Sequence, residues 1–126
     1  MPRILVTGGA GFIASDLAIK LASDPKNDVT VVDNLLTGDR RKLPTVLPAN
    51  LHFVKCDVNR YEDISAVFYA NRFEHVFHYA AVVGVKRTTD NPVLVLRDID
   101  GLRNVLDLSK NTGVKRVIYS SSSEVY

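Results

Sequence analysis

One cysteine, Cys56, is all the thiol chemistry the sequence has. An internal disulfide and a multi-cysteine metal site are both excluded. There is no tryptophan. The three histidines, His52, His75 and His78, have no metal-ligand spacing. His75 and His78 fall on opposite faces of a strand that holds both, so His78 reads as a packed residue rather than a catalyst. No block of five like charges occurs; Arg40, Arg41 and Lys42, beside Asp39, are the densest cluster. Sixteen Lys+Arg against fourteen Asp+Glu leave a net charge of +2. Such a balance argues against an electrostatic binder of nucleic acid or of a membrane surface. No apolar run approaches the roughly 18 residues of a membrane-spanning helix. The opening MPRILVTGG has one basic and four apolar residues before its glycines, unlike a signal peptide. A soluble, cytoplasmic protein is the expectation. The 126 residues suffice for one hydrophobic core and not for two.

What is present is an alternation. Apolar, β-rich runs occur at 3–7 (RILVT), 28–33 (DVTVVD), 51–55 (LHFVK), 75–81 (HVFHYAA) and 115–120 (KRVIYS). Segments of helical period separate them. Ile13, Leu17 and Leu21, with Ala14 and Ala18, mark one helix face, which Asp24-Pro25 closes. Ile64, Val67 and Phe68 mark a second, short helix. Residues 34–50, with Gly38, Pro44 and Pro48, read as a loop holding at most a helical turn. The longest helix covers 92–111, from Pro92 in its first turn to Asn111 in its last, with Asp90 or Asn91 as cap and Gly113 beyond its end. It carries two apolar stripes. One is Val95, Ile99, Leu102 and Leu106; the other is Leu94, Val105 and Leu108, with Gly101. One stripe packs on the sheet and the other needs a second partner. Near-continuous apolar strands alternating with helices predict a parallel α/β sheet covered on both faces. Right-handed crossovers then favour a doubly wound sheet of order 3-2-1-4-5.

The first strand runs into Gly8-Gly9-Ala10-Gly11-Phe12-Ile13-Ala14. A dinucleotide pyrophosphate needs backbone N–H groups at a helix N-terminus and no side chain in the way. Gly8 permits the tight turn, Gly11 the close approach, and Ala14 the close packing of helix on strand. The spacing is G-x-x-G-x-x-A rather than the standard G-x-G-x-x-G. A plain structural turn is the alternative, but a strand before, a helix after and an acidic residue further on are the context the motif requires. That acidic residue is Asp33, 19 positions after Ala14 and ending the second strand. Its carboxylate suits two ribose hydroxyls and repels a 2′-phosphate; the alternative is a solvated strand end. Arg40 and Arg41 lie further into the loop and read as solvated surface. Asp57, in Cys56-Asp57-Val58 after the third strand, lies at the carboxyl edge where ligands bind in open α/β sheets. It suits either the adenine amino group or the capping of a helix. A mononucleotide P-loop is excluded, since no Gly-Lys-Ser/Thr follows the glycines.

The sequence resembles the N-terminal half of extended short-chain dehydrogenase/reductases, the NAD-dependent epimerase/dehydratase family that modifies nucleotide-linked sugars. The matching pieces are Thr7-Gly8-Gly9-Ala10-Gly11-Phe12-Ile13, Val32-Asp33-Asn34-Leu35, Cys56-Asp57-Val58, His78-Tyr79-Ala80-Ala81 and Ser120-Ser121-Ser122-Ser123-Glu124-Val125-Tyr126. They follow in the family's order over essentially the whole chain. The resemblance implies an NAD(P)-binding Rossmann domain over 1–126, truncated after strand five. It implies that Phe12 and Ile13 continue the pyrophosphate loop, Asp33 and Asn34 hold the adenosine ribose, Asp57 and Val58 flank adenine, and Ala80 and Ala81 line the nicotinamide side. Ser122, four residues before Tyr126, matches the family's catalytic Ser/Thr, which hydrogen-bonds the reacting sugar hydroxyl. Taken alone, Ser120 to Ser123 are a polar strand end. Lys86 and Arg87 stand where the family reaches toward the sugar nucleotide, although solvated loop charges are the simpler reading. The resemblance also implies a homodimer through the helix over 92–111. The expected bare stripe is that of Leu94 and Leu108.

The departures are informative. Ala14 replaces a third glycine, and Asp98 and Leu102 replace Asn and Thr in the segment that keeps Gly101. The family's catalytic Tyr-x-x-x-Lys is missing. Four positions after Tyr61, Tyr69, Tyr79 and Tyr119 stand Ser65, Phe73, Val83 and Ser123, and Tyr126 is the last residue. No lysine is placed to lower a tyrosine pKa for proton transfer. The implied parent is a longer NAD-dependent epimerase, dehydratase or decarboxylase acting on a nucleotide sugar, of which these residues are a fragment inactive by itself. The alternative is a non-catalytic NAD-binding sensor or scaffold.

Overall fold

The computed structural model describes residues 2–8, 12–33, 46–79 and 92–119. Five parallel strands form one sheet: β1 (Arg3–Thr7), β2 (Asp28–Asp33), β3 (Leu51–Lys55), β4 (His75–His78) and β5 (Arg116–Tyr119). Their order is β3-β2-β1-β4-β5, the order expected from the alternation. Three helices accompany them: α1 (Phe12–Ala22), α2 (Tyr61–Ala70) and α3 (Pro92–Thr112).

The strand side chains alternate between two cores. Ile4, Val6, Val29 and Val31 face α1, where Ala14, Ala18 and Ala22 let the helix lie close to the sheet. Leu5, Val32 and Val76 face the other way, onto Ile64, Val67 and Phe68 of α2 and Val105 and Leu108 of α3. This is the doubly wound arrangement. The chain moves one way along the sheet from β1 to β2 and the other way from β3 through β4 to β5. Right-handed connections therefore place α1 on one face and α2 and α3 on the other. Ends are as locally determined as the packing. Asn27 Nδ2 donates to Leu21 O (2.9 Å) and Asn50 Nδ2 to Ala22 O (2.8 Å), satisfying carbonyls at the end of α1. Gly113, at φ +78°, terminates α3 as expected, and the Val114 N–H reaches back to Ser109 O (3.0 Å).

Among the described side chains of α3, the stripe expected to be bare is the buried one. Val105 and Leu108 have no exposed surface, and Gly101 is buried with them. The outward stripe is that of Leu102, half-buried, and Leu106, 47% exposed. Gly101 decides the matter. A Cβ there would fall on Asn59 Oδ1 and lie 3.1 Å from Val58 Cγ2, so the glycine face is where α3 presses on the turn after β3. β4 ends at His78, before Tyr79, and β5 begins at Arg116, one residue later than the sequence reading. Positions 80, 81 and 120, with most of the 34–50 loop and the Asp90 and Asn91 caps, lie outside the described residues. No helix among the described residues is long and apolar enough to cross a membrane.

Candidate functional site

The carboxyl ends of the strands gather the candidate residues on one edge of the sheet. Order β3-β2-β1-β4-β5 reverses direction between β1 and β4, and the connections leaving those strands depart to opposite faces. Crevices for ligands form at such a reversal.

At the end of β1, Gly8 has φ +70°. That conformation is open to glycine and strained for residues with a Cβ. Its N–H still donates to Val32 O (2.8 Å), so the chain turns immediately after its last ladder bond. Phe12 and Ile13 open α1. Asp33 ends β2 and is only 8% exposed, which removes the solvated strand-end alternative. The Asp33 carbonyl accepts from Cys56 N (3.0 Å), continuing the β2–β3 ladder one step past β3.

After β3 the chain makes a tight turn before α2. Asp57 Oδ1 accepts from the Asn59 N–H (2.9 Å), and the Arg60 N–H donates to Asp57 O (3.0 Å). Arg60, at the N-cap of α2, makes no side-chain cap hydrogen bond. Asp57 is therefore a turn-former and not the helix cap of the alternative reading. Val58 is buried in the core beneath it. Burial, aided by the Asp63 and Asp57 charges, pushes the Cys56 thiol up to about 12, so it stays a neutral, packed group.

Between β1 and β4 sits a polar pair. Thr7 Oγ1 lies 2.8 Å from His78 Nδ1 and accepts from the Tyr79 N–H (2.9 Å). Thr7 is wholly buried and His78 is 1% exposed, as a packed residue should be. The His78 ring stacks on Tyr119 of β5, with centroids 5.8 Å apart. Burial lowers the imidazole to about 4, so it is neutral near pH 7.

The described edge thus brings together Gly8, Asp33, Asp57 and Val58. Gly11, Asn34, Ala80, Ala81 and Ser122 lie outside the described residues, as do Lys86 and Arg87. Sequence reasoning missed the Thr7–His78 contact and the support that α3 gives the turn after β3. Gly101 was the available signal for the second. A mid-helix glycine costs about 1 kcal/mol against alanine and is retained where backbone must come close.

A family model described as the NAD dependent epimerase/dehydratase family matches residues 4–126. A UDP-N-acetyl-alpha-D-glucosaminuronate decarboxylase of Bacillus cytotoxicus is 38% identical over 125 residues, covering 98% of this chain and 37% of its own length. The UDP-glucose 4-epimerase of Thermus thermophilus, solved in complex with NAD, superposes with a TM-score of 0.80 at 35% identity, covering 91% of this chain and 36% of that one. The Thermotoga maritima UDP-glucose 4-epimerase, solved with UDP-glucose, gives 0.85 at 37% identity, covering 94% and 37%. The chain therefore spans little more than a third of the proteins it matches. With a parallel sheet in the order of those structures and a family match from its first strand to its last residue, the chain belongs to the NAD-dependent epimerase/dehydratase family.

Proposed function

We propose that this chain is the NAD-binding portion of an enzyme that epimerises, dehydrates or decarboxylates a nucleotide sugar. The observation that carries the reading is the pairing of a positive-φ Gly8 turn opening into α1 with a buried carboxylate, Asp33, ending the neighbouring strand. The residues fit the cofactor. The turn and the first residues of α1, with Gly11, Phe12 and Ile13, would take the pyrophosphate on backbone N–H groups. Asp33 and Asn34 would hold the adenosine ribose, Asp57 and Val58 the adenine, and Ala80 and Ala81 the nicotinamide side.

Bound NAD supplies a hydride acceptor for the sugar. Ser122 would hydrogen-bond the sugar hydroxyl that loses its proton as the hydride leaves. An unassisted serine is too weak a base at neutral pH, and no tyrosine here carries the partnering lysine. The 126-residue chain should therefore bind NAD without turning over a nucleotide sugar. The outward stripe with Leu102 and Leu106 is the corrected candidate for a homodimer contact. A cytoplasmic location belongs to the same reading. No observation favours the sensor or scaffold alternative.

Calorimetric titration with NAD and NADP tests the assignment. Asp33 against a 2′-phosphate should give NAD at least about a tenfold advantage. Asp33→Ala should narrow that gap. Equal affinities for the unsubstituted chain would remove Asp33 from the ribose.

A further inference from the structure

The turn carrying Asp57 is held from two sides. From within, Asp57 Oδ1 takes the Asn59 N–H, leaving Oδ2 outside the turn's own bonding. From without, α3 supplies the support. Asn104 Nδ2 donates to Val58 O (2.9 Å), a contact between residues 46 positions apart. One helical turn earlier, Gly101 comes so close that its missing side chain is what admits Asn59. Asn59 Oδ1 is buried there with no hydrogen-bond partner among the described residues. A buried amide oxygen without a partner is costly, and its burial shows how tightly the helix fixes the turn. No side-chain cap on α2 shares that task.

We propose that Asn104 and Gly101 are positioning residues for base recognition: they hold the 57–59 turn so that Asp57 Oδ2 accepts from the amino group of adenine. This rests on the NAD reading above. The carboxylate has no hydrogen to give, so the site should reject a base that presents an acceptor in place of the amino group. Nicotinamide hypoxanthine dinucleotide is that probe: a carbonyl oxygen replaces the amino group, and the neighbouring N1, an acceptor in adenine, carries a proton.

Calorimetry with the two dinucleotides reads the inference. The unsubstituted chain should prefer NAD by about tenfold or more. Asp57→Asn keeps Oδ1 for the Asn59 N–H and turns the outer oxygen into a donor, so the preference should vanish or reverse. Asn104→Leu removes the donor to Val58 O and should bring the preference toward one while both dinucleotides still bind. A merely structural role would weaken both by the same factor and keep the ratio, and that result overturns the proposal. Gly101→Ala, which pushes α3 off the turn, is the second variant with the same expected loss of preference. In the unsubstituted chain, the Asn104 side-chain amide resonances should shift more with NAD than with the hypoxanthine analogue; equal shifts also overturn it. The two levels fail separately. If the unsubstituted chain binds no NAD, the cofactor reading falls and takes this one with it. If it binds NAD with the ratio intact in Asn104→Leu, only the positioning role falls.

Discussion

His78 should make the fold acid-sensitive in a defined window. Its imidazole is 1% exposed, pinned by Thr7 and stacked on Tyr119, and burial lowers its pKa from 6.5 to about 4. Between those values the unfolded chain binds a proton that the folded chain refuses. Stability therefore rises with pH across the window and is lost as pH falls from about 6.5 to about 4. A displacement of that size corresponds to about 3 kcal/mol, of the same order as a small domain's whole stability. His78→Asn removes the titration while keeping a polar group near Thr7 Oγ1. At pH 7 the variant should be less stable, because the stacked ring is gone, by about 1 kcal/mol or more. At pH 4 that deficit should close and, for a deficit of about 1 kcal/mol, reverse, because only the unsubstituted protein has lost the histidine contribution of about 3 kcal/mol. The assay is urea denaturation followed by circular dichroism at half-unit steps from pH 7.5 to 4. All other ionisable groups are common to the two proteins, so the difference between the two curves isolates His78. Parallel curves would show that the imidazole is not held neutral by burial.

The two leucines of α3 should separate fold from association. Leu108→Ala empties a fully buried position and should cost about 2–5 kcal/mol in chemical denaturation, whereas Leu106→Lys should change stability by less than about 0.5 kcal/mol. If α3 is the homodimer surface, sedimentation at tens of micromolar should show Leu106→Lys weakening self-association; no change would move the contact elsewhere. Cys56, buried and with its thiol pushed up to about 12, should react with a thiol reagent at pH 8 only when urea unfolds the chain, and stoichiometric labelling of the folded protein would contradict its burial.

The sheet was legible because its signals are redundant. Five apolar runs, the intervening helical periods and the handedness of crossovers all point to one topology, and each could be wrong by a residue without changing it. The face of α3 was a different kind of problem. Two apolar stripes on one helix satisfy the same periodicity, and hydrophobicity alone cannot rank them. Burial of Val105 and Leu108 follows from a steric fact beside them. At Gly101 the α3 backbone presses on Asn59 and Val58 where a Cβ would not fit, a contact that favours this helix rotation. Once the rotation is set, Leu106 is turned outward whatever its hydropathy.

The polar pair below the crevice was illegible for a reason of register. Thr7 and His78 stand 71 positions apart and meet only because Thr7 pairs with His78 across β1 and β4. A one-residue slip would carry every β4 side chain to the opposite face. It would send His78 toward the core that Val6 faces and leave the Thr7 hydroxyl against Phe77. The pairing that prevents the slip is apolar, since Val76 needs the core shared with Leu5, Phe68 and Leu108. The hydrophobic pattern of β4 thus sets where the histidine goes. Its hydrogen bond then depends on a register that neither motif, read by itself, contains.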